Sequence, residues 1–285
     1  MSNSSQSDRL SILFDHFEVK TKVFAFGTLC GESVFDIQPG LGHIHIIKKP
    51  SIEIILKNNK LIVVDEPSLV FFPKPVYHRF RSIFDYGSDM ICSTISFVSG
   101  MQNPLTNGLP EILILPLRKL LGFEKIFELL YLEAFENTCG KQYAINHLMD
   151  YLTLRIYRFL IKENLIESSP MAGIADPKIT KAFSAVHKSP AFNWTVDSLA
   201  QEAGMSRARF SEYFKQKVGM TPISYLTDLR INIAIKYIIK GKSVKSIHKE
   251  VGYSSASSFT RVFLQRTGMT PKEWLKNKIM TQQEK

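Results

Sequence analysis

Apolar positions change period partway along the chain. From Val19 to Phe97 they come in short runs rich in β-branched and aromatic residues: KVFAFGTL, SVFDI, HIHII, IEIIL, LIVVD, SLVFFP, HRFRSIF and MICSTISF. Turn formers such as Gly31, Pro39-Gly40, Asn58-Asn59, Pro73 and Gly87 separate them. Runs of this length and spacing predict an all-β sandwich or barrel over about 19–98. Ahead of it, Leu10, Leu13, Phe14 and Phe17 predict a short amphipathic helix, and residues 1–8 read as a disordered tail.

Beyond a polar connector at 98–110, the spacing becomes helical. Leu117–Asn137 and Asn146–Lys162 predict two long helices within about 111–165. On the second, Leu148, Leu152, Ile156 and Phe159 line up as a seam. That seam suits either dimerisation through paired helices or packing on the chain's own strands. Residues 167–175, ESSPMAGIA, have linker composition. Asp176-Pro177 then predicts a helix start, with the aspartate as cap and the proline at the first helical position.

The last hundred residues contain a repeat. TVDSLAQEAGMSRARFSEYFKQKVGMTP (195–222) is echoed by SVKSIHKEVGYSSASSFTRVFLQRTGMTP (243–271). Each copy has a Ser or Thr cap, a short helix, a glycine turn (Gly204, Gly252), a second Ser cap (Ser206, Ser255), and a helix ended by glycine. That order spells a helix-turn-helix, here twice, over about 195–220 and 243–268. A helix from about Ile223 to Lys240 joins the two units and would be about 27 Å long.

Charge separates this half from the rest. The chain has 285 residues and a net charge of +10. Residues 176–285 hold 19 Lys+Arg against 8 Asp+Glu, and residues 1–175 hold 17 against 18. The basic excess therefore belongs to the repeat and implies a polyanion partner for that half. The second helix of a helix-turn-helix lies in the major groove. Candidate DNA contacts are Arg207, Ala208, Arg209, Ser211, Glu212 and Lys215 on the first unit. On the second they are Ala256, Ser257, Ser258, Thr260, Arg261 and Gln265. Phe210/Phe214 and Phe259/Phe263, four apart, are predicted to face the core. A spacer of about 27 Å could place both readers in successive major grooves, about 34 Å apart.

No run of about 18 apolar residues predicts a membrane span, and the polar start MSNSSQSDRL does not read as a signal peptide. A cytoplasmic location is expected. Cys30, Cys92 and Cys139 are odd in number and far apart, so neither a disulfide framework nor a zinc finger is expected. His43 and His45 share one face of a strand, and His78 follows Pro73. A metal centre would need three or four converging ligands. The pattern is read as a candidate effector site with no metal and no cofactor; the rival reading is a metal oxygenase or isomerase holding its metal at His43, His45 and His78, and no P-loop, dinucleotide fingerprint or Ser/His/Asp grouping supports any other enzyme.

Residues from about Asp176 to Lys276 closely resemble the DNA-binding domain of AraC/XylS-family transcription regulators. The matching residues are Leu199-Ala200, Gly204-Met205-Ser206, Phe210, Phe214, Arg230, Ala234, Ile247, Gly252-Tyr253, Ser258-Phe259-Thr260-Arg261, Phe263, Gly268-Met269-Thr270-Pro271 and Trp274. Two positions depart from the pattern: His248 replaces a small residue and Leu264 a basic one. The N-terminal half resembles the cupin-type sensory domains fused to this family, through Phe35, His45, Leu69–Pro73 and His78. The resemblance implies an α+β multidomain fold. It has a cupin-like sensory and dimerisation domain over 1–166, a linker over 167–175 and a double helix-turn-helix over 176–280. It further implies a homodimer that regulates transcription, answers to a small-molecule effector or oxidant, and takes RNA polymerase as a further partner. Cys30 and Cys92 are the candidate redox residues.

Overall fold

The computed structural model describes residues 9–17, 19–49, 51–97, 105–166 and 168–283. The expected tail at 1–8 and most of the connector (98–104) lie outside the described residues. The chain divides into two units, Val19–Ile166 and the remainder.

Each of the eight strand-like runs forms a strand. They are β1 (Val19–Leu29), β2 (Glu32–Phe35), β3 (Leu41–Ile47), β4 (Ile52–Leu56), β5 (Leu61–Val64), β6 (Ser68–Phe72), β7 (His78–Ser82) and β8 (Ser88–Phe97). A ninth, β9 (Leu113–Pro116), lies just ahead of the expected helix start at Leu117, and pairs with β6. Among the described residues the strands form two antiparallel sheets, ordered β1-β8-β3-β6-β9 and β2-β7-β4-β5, rather than one closed ring. The space between them is filled by Ile52, Ile54, Val70, Phe72, Phe80 and their neighbours.

Helix α2 spans Glu124–Phe135, seven residues shorter at its start than the apolar spacing predicts. A 3-10 turn at Leu117–Lys119 and the turn at 120–123 take up the difference. Helix α3 (Lys141–Lys162) lies on β1. Its Asp150 Oδ1 accepts from the Thr21 N–H and Oγ1 (2.9 and 2.6 Å), and its Asn146 Oδ1 accepts from the Val23 N–H (2.9 Å). These bonds occupy donors on an edge strand that would otherwise be open to pairing. They also turn the α3 seam inward. Leu152 and Ile156 are fully buried within their own unit, while Leu148 and Phe159 are half-buried. Leu152 and Ile156 are core packing of their own unit and are not exposed for subunit pairing.

The other unit is helical. Helix α1 (Arg9–Phe17) belongs to it, with Leu10, Leu13 and Phe17 buried and the helix packed on two later helices described next. The expected linker is partly helix α4 (Pro170–Ala175). Ser169 caps it, and Pro170, Met171 and Ile174 are buried because this apolar turn packs against the repeat. Asp176 caps a turn through the Lys178 N–H (2.8 Å), and α5 begins only at Thr180 and runs to Lys188. The repeat follows as α6 (Val196–Glu202), α7 (Arg207–Val218), α8 (Pro222–Ile239), α9 (Val244–Glu250), α10 (Ala256–Thr267) and α11 (Pro271–Gln283). Helix α1 packs on α4 and α8.

Candidate nucleic-acid interface and sheet interior

Local sequence chemistry sets both helix-turn-helix units. Thr195 and Ser198 cap α6 reciprocally, Ser206 caps α7, Ser243 caps α9 and Ser255 caps α10. Gly219 and Gly268 end α7 and α10 in the left-handed conformation that glycine adopts without strain. Phe210, Phe214, Phe259 and Phe263 are buried, as their four-residue spacing requires.

The opposite faces carry the candidate DNA contacts. Arg207, Ala208, Arg209, Glu212 and Lys215 are exposed on α7, and Ser211 is half-buried. On α10, Ala256, Ser257, Arg261 and Gln265 are exposed, whereas Ser258 and Thr260 are half-buried. Two of these side chains already have partners. Arg207 reaches Asp197 of α6 at 3.4 Å, an exposed pair of the kind worth at most about 1 kcal/mol. Ser257 Oγ lies 3.1 Å from the capping Ser255 Oγ. Arg209 and Arg261 are exposed, with forked donors suited to guanine or phosphate.

In the sheet unit, the three histidines do meet. His43 and His45 of β3 and His78 of β7 point into the space between the sheets. His78 Nδ1 lies 2.8 Å from the Val76 carbonyl, so it must donate. Its neutral Nε2 therefore accepts from His45 Nε2, 3.0 Å away. Burial lowers all three pKa values, to about 4 for His43 and His78 and well below the usual imidazole value for His45. The cluster is neutral at pH 7. No group of three or more His, Cys, Asp or Glu among the described residues is placed to hold a metal ion.

Phe35 covers the cluster. It stacks on His78 at 4.9 Å and meets His43 and His45 edge-on. A cavity of about 180 Å³ has Phe35 in its wall, together with Phe24, Ala25, Gly27, Met90 and Cys92 among others from β1, β2 and β8. Sequence spacing located the histidines but missed this apolar mouth. Phe24 enters it because the β1–β8 register slips between Val23 and Ala25.

The candidate redox cysteines are separated. Cys92 lies opposite Ala25 of β1, and Cys30 follows that strand five residues later. That offset is about 17 Å along the strand, well past the roughly 7 Å Cα separation a disulfide tolerates. Burial also pushes the Cys92 thiol up to about 12, so it stays protonated, while Cys30 and Cys139 are exposed. We expect an Ellman-type thiol titration of the folded protein to label Cys30 and Cys139 and to reach Cys92 only after denaturant is added. Labelling of three thiols at equal rates in native buffer would contradict the burial.

The chain matches the cupin family over residues 8–162 and the helix-turn-helix domain family over residues 199–277. The cupin match starts ahead of α1, a helix that packs with the other unit. An uncharacterised HTH-type transcriptional regulator of Haemophilus influenzae is 32% identical over 175 residues, 61% of this chain and 58% of that protein. The chain thus spans less than two thirds of that relative's length. The RCS-specific HTH-type transcriptional activator RclR of Escherichia coli is 25% identical over 241 residues, 81% of this chain and 82% of its own. Among solved structures, ToxT from Vibrio cholerae aligns over 91% of this chain and 94% of its own, with 18% identity and a TM-score of 0.40.

Proposed function

The chain is a member of the AraC family, with a cupin domain joined to a helix-turn-helix domain, and from that premise we propose that it is a sequence-specific DNA-binding transcription regulator. Helices α7 and α10 read two successive major grooves. The exposed face of α7 carries Arg207, Arg209 and Lys215, and that of α10 carries Ser257, Arg261 and Gln265, so the two half-sites differ in sequence. The observation that carries this reading is the pair of capped helices with buried phenylalanines behind and exposed Arg, Ser and Gln in front, in the half of the chain that holds the whole basic excess.

Control comes from the cupin unit. Its mouth accepts a small, largely apolar effector that packs on Phe35, with the neutral His43, His45 and His78 behind that ring. An effector acts by shifting the population between arrangements of the DNA-reading half. An oxidant acting at Cys30 is the second reading, favoured by that thiol's exposure. The relatives are named as regulators, and no catalytic grouping is assigned here. No helix among the described residues is long and apolar enough to cross a membrane; a cytoplasmic location is part of the proposal because the partner is DNA. A homodimer would use the outer face of α2, where Leu129, Leu132 and Phe135 are exposed. RNA polymerase is the further partner of a regulator that activates.

Selection of bound sites from random duplexes tests the central reading. Arg261→Ala is expected to weaken the selected site by about 1–3 kcal/mol and to relax one base position. An equal loss on every sequence would make Arg261 a phosphate contact. Binding by the unaltered chain without sequence preference or salt dependence would remove the proposal.

A further inference from the structure

A rod of about 27 Å between two reading heads fixes their separation only if neither head rocks on its end of the rod. Both junctions in this chain are short, glycine-containing segments: Gly219-Met220-Thr221 ahead of α8, and Lys240-Gly241-Lys242 behind it. Gly219 and Gly241 are both in the left-handed region (φ 79° and 78°). Something else must brace the heads.

Arg230, in the middle of α8, reaches both. Its Nε donates to the Pro190 carbonyl and its Nη2 to the Phe192 carbonyl, each at 2.8 Å. Pro190 and Phe192 belong to the loop that leads into α6, the first helix of the first head. On the second head, the same guanidinium lies over the ring of Tyr253, 5.6 Å from its centroid. Tyr253 sits in the turn between α9 and α10.

Gly252 provides an independent observation. At φ 83°, a Cβ there would lie 2.6 Å from the Ala191 carbonyl oxygen and 2.8 Å from Arg230 Nη2. The turn of the second head therefore backs directly onto the entry loop of the first, and the guanidinium fills the junction. The loop is itself closed by Trp194 Nε1 donating to the Ser189 carbonyl at 2.8 Å. Two carbonyls and a ring face at one point need a planar fork of donors. An ammonium supplies a compact charge instead, so lysine is a poor substitute.

We propose that Arg230 is a positioning residue for DNA recognition: it clamps the two helix-turn-helix heads together and thereby sets the spacing between half-sites that the protein accepts. This rests on the reading that α7 and α10 occupy successive grooves. Arg230 touches no base in this role. It acts through the placement of α7 and α10, so its loss alters which spacings are tolerated and leaves each half-site sequence as it was.

The test is selection and sequencing of bound sites from a random 40-base-pair duplex library. The full-length chain is compared with Arg230→Ala, Arg230→Lys and Tyr253→Leu, and affinities are then measured on the selected site with one base pair inserted between its half-sites. The unaltered chain should enrich two half-sites at one separation and lose about tenfold or more on the insertion. All three variants should enrich the same two half-sites over a spread of separations and lose about threefold or less on the insertion. A folded Arg230→Ala that keeps the single separation, including one that binds every spacing uniformly more weakly, would overturn the clamp. If Arg230→Ala does not fold, Tyr253→Leu decides, since it keeps both carbonyl bonds and removes only the contact of the guanidinium with the second head. A single separation in that variant overturns the proposal. Failure of the unaltered chain to enrich paired half-sites would overturn the two-groove reading itself, and the clamp's role with it, an outcome visible before any variant is compared.

Discussion

At pH 7.5, Arg266→Ala is expected to destabilise the helical unit by about 3–5 kcal/mol, the cost of leaving a buried charge without its partner. Arg266 Nε lies 3.1 Å from Asp228 Oδ1, and its Nη2 donates to Ser224 Oγ at 2.9 Å. Asp228 and Ser224 are on α8 and Arg266 is on α10, so this ion pair is a tie between the connecting helix and the second reading helix. Burial raises the Asp228 carboxyl to about 6 from 3.8, with Arg266 acting against the rise. A raised carboxyl binds its proton more tightly in the folded state than in the unfolded one. Its contribution to stability is therefore full below pH 4 and is lost as pH rises through about 6. Without Arg266 the carboxyl rises further, and the variant should recover part of its loss on acidification to pH 5. Asp228→Asn in the Arg266→Ala background should restore stability at pH 7.5. Urea titration monitored by circular dichroism reads all three. An Arg266→Ala midpoint equal to that of the unaltered chain at pH 7.5 would mean that the pair carries no stability.

Leu152→Ala should cost the cupin unit about 2–5 kcal/mol through lost burial and the cavity left behind. Leu152 is completely buried on α3, which is held to β1 by Asp150 and Asn146. The expected readout is a lower melting temperature for that unit with the oligomeric mass unchanged below it. Leu132→Glu, on the exposed face of α2, should do the reverse, changing mass by light scattering with little effect on melting. A folded monomer from Leu152→Ala would return the subunit seam to α3.

Much of the helical unit was legible because its signals are local. A serine three residues ahead of an N–H caps a helix whatever surrounds it, and Ser206 and Ser255 do so at 3.4 and 3.2 Å. Glycine ends a helix by its own conformational freedom, as Gly219 and Gly268 do. The strand runs were legible for the same kind of reason, since their β-branched composition suits a pleated sheet. Elements that depend on a distant partner were misread. Leu113–Pro116 is apolar enough for strand or helix, and only β6 decides for the strand. Met171 and Ile174 look like linker residues until α7 is seen packed on their helix.

By itself the sequence determined the number of strands before residue 98, the two capped helix-turn-helix units, the buried phenylalanines and the basic half that implies DNA. Each follows from periodicity, capping or charge, and acts over a few residues. Tertiary structure alone decided what lies against what. It buried Leu152 and Ile156 of the α3 seam within the cupin unit, set Phe35 against the histidines and in the wall of the mouth, and separated Cys30 from Cys92. It also joined Arg230 to two carbonyls forty and thirty-eight residues away and to the ring of Tyr253. These are contacts between residues far apart in the chain, and they are specified by which surfaces must be buried together rather than by any run of neighbouring residues.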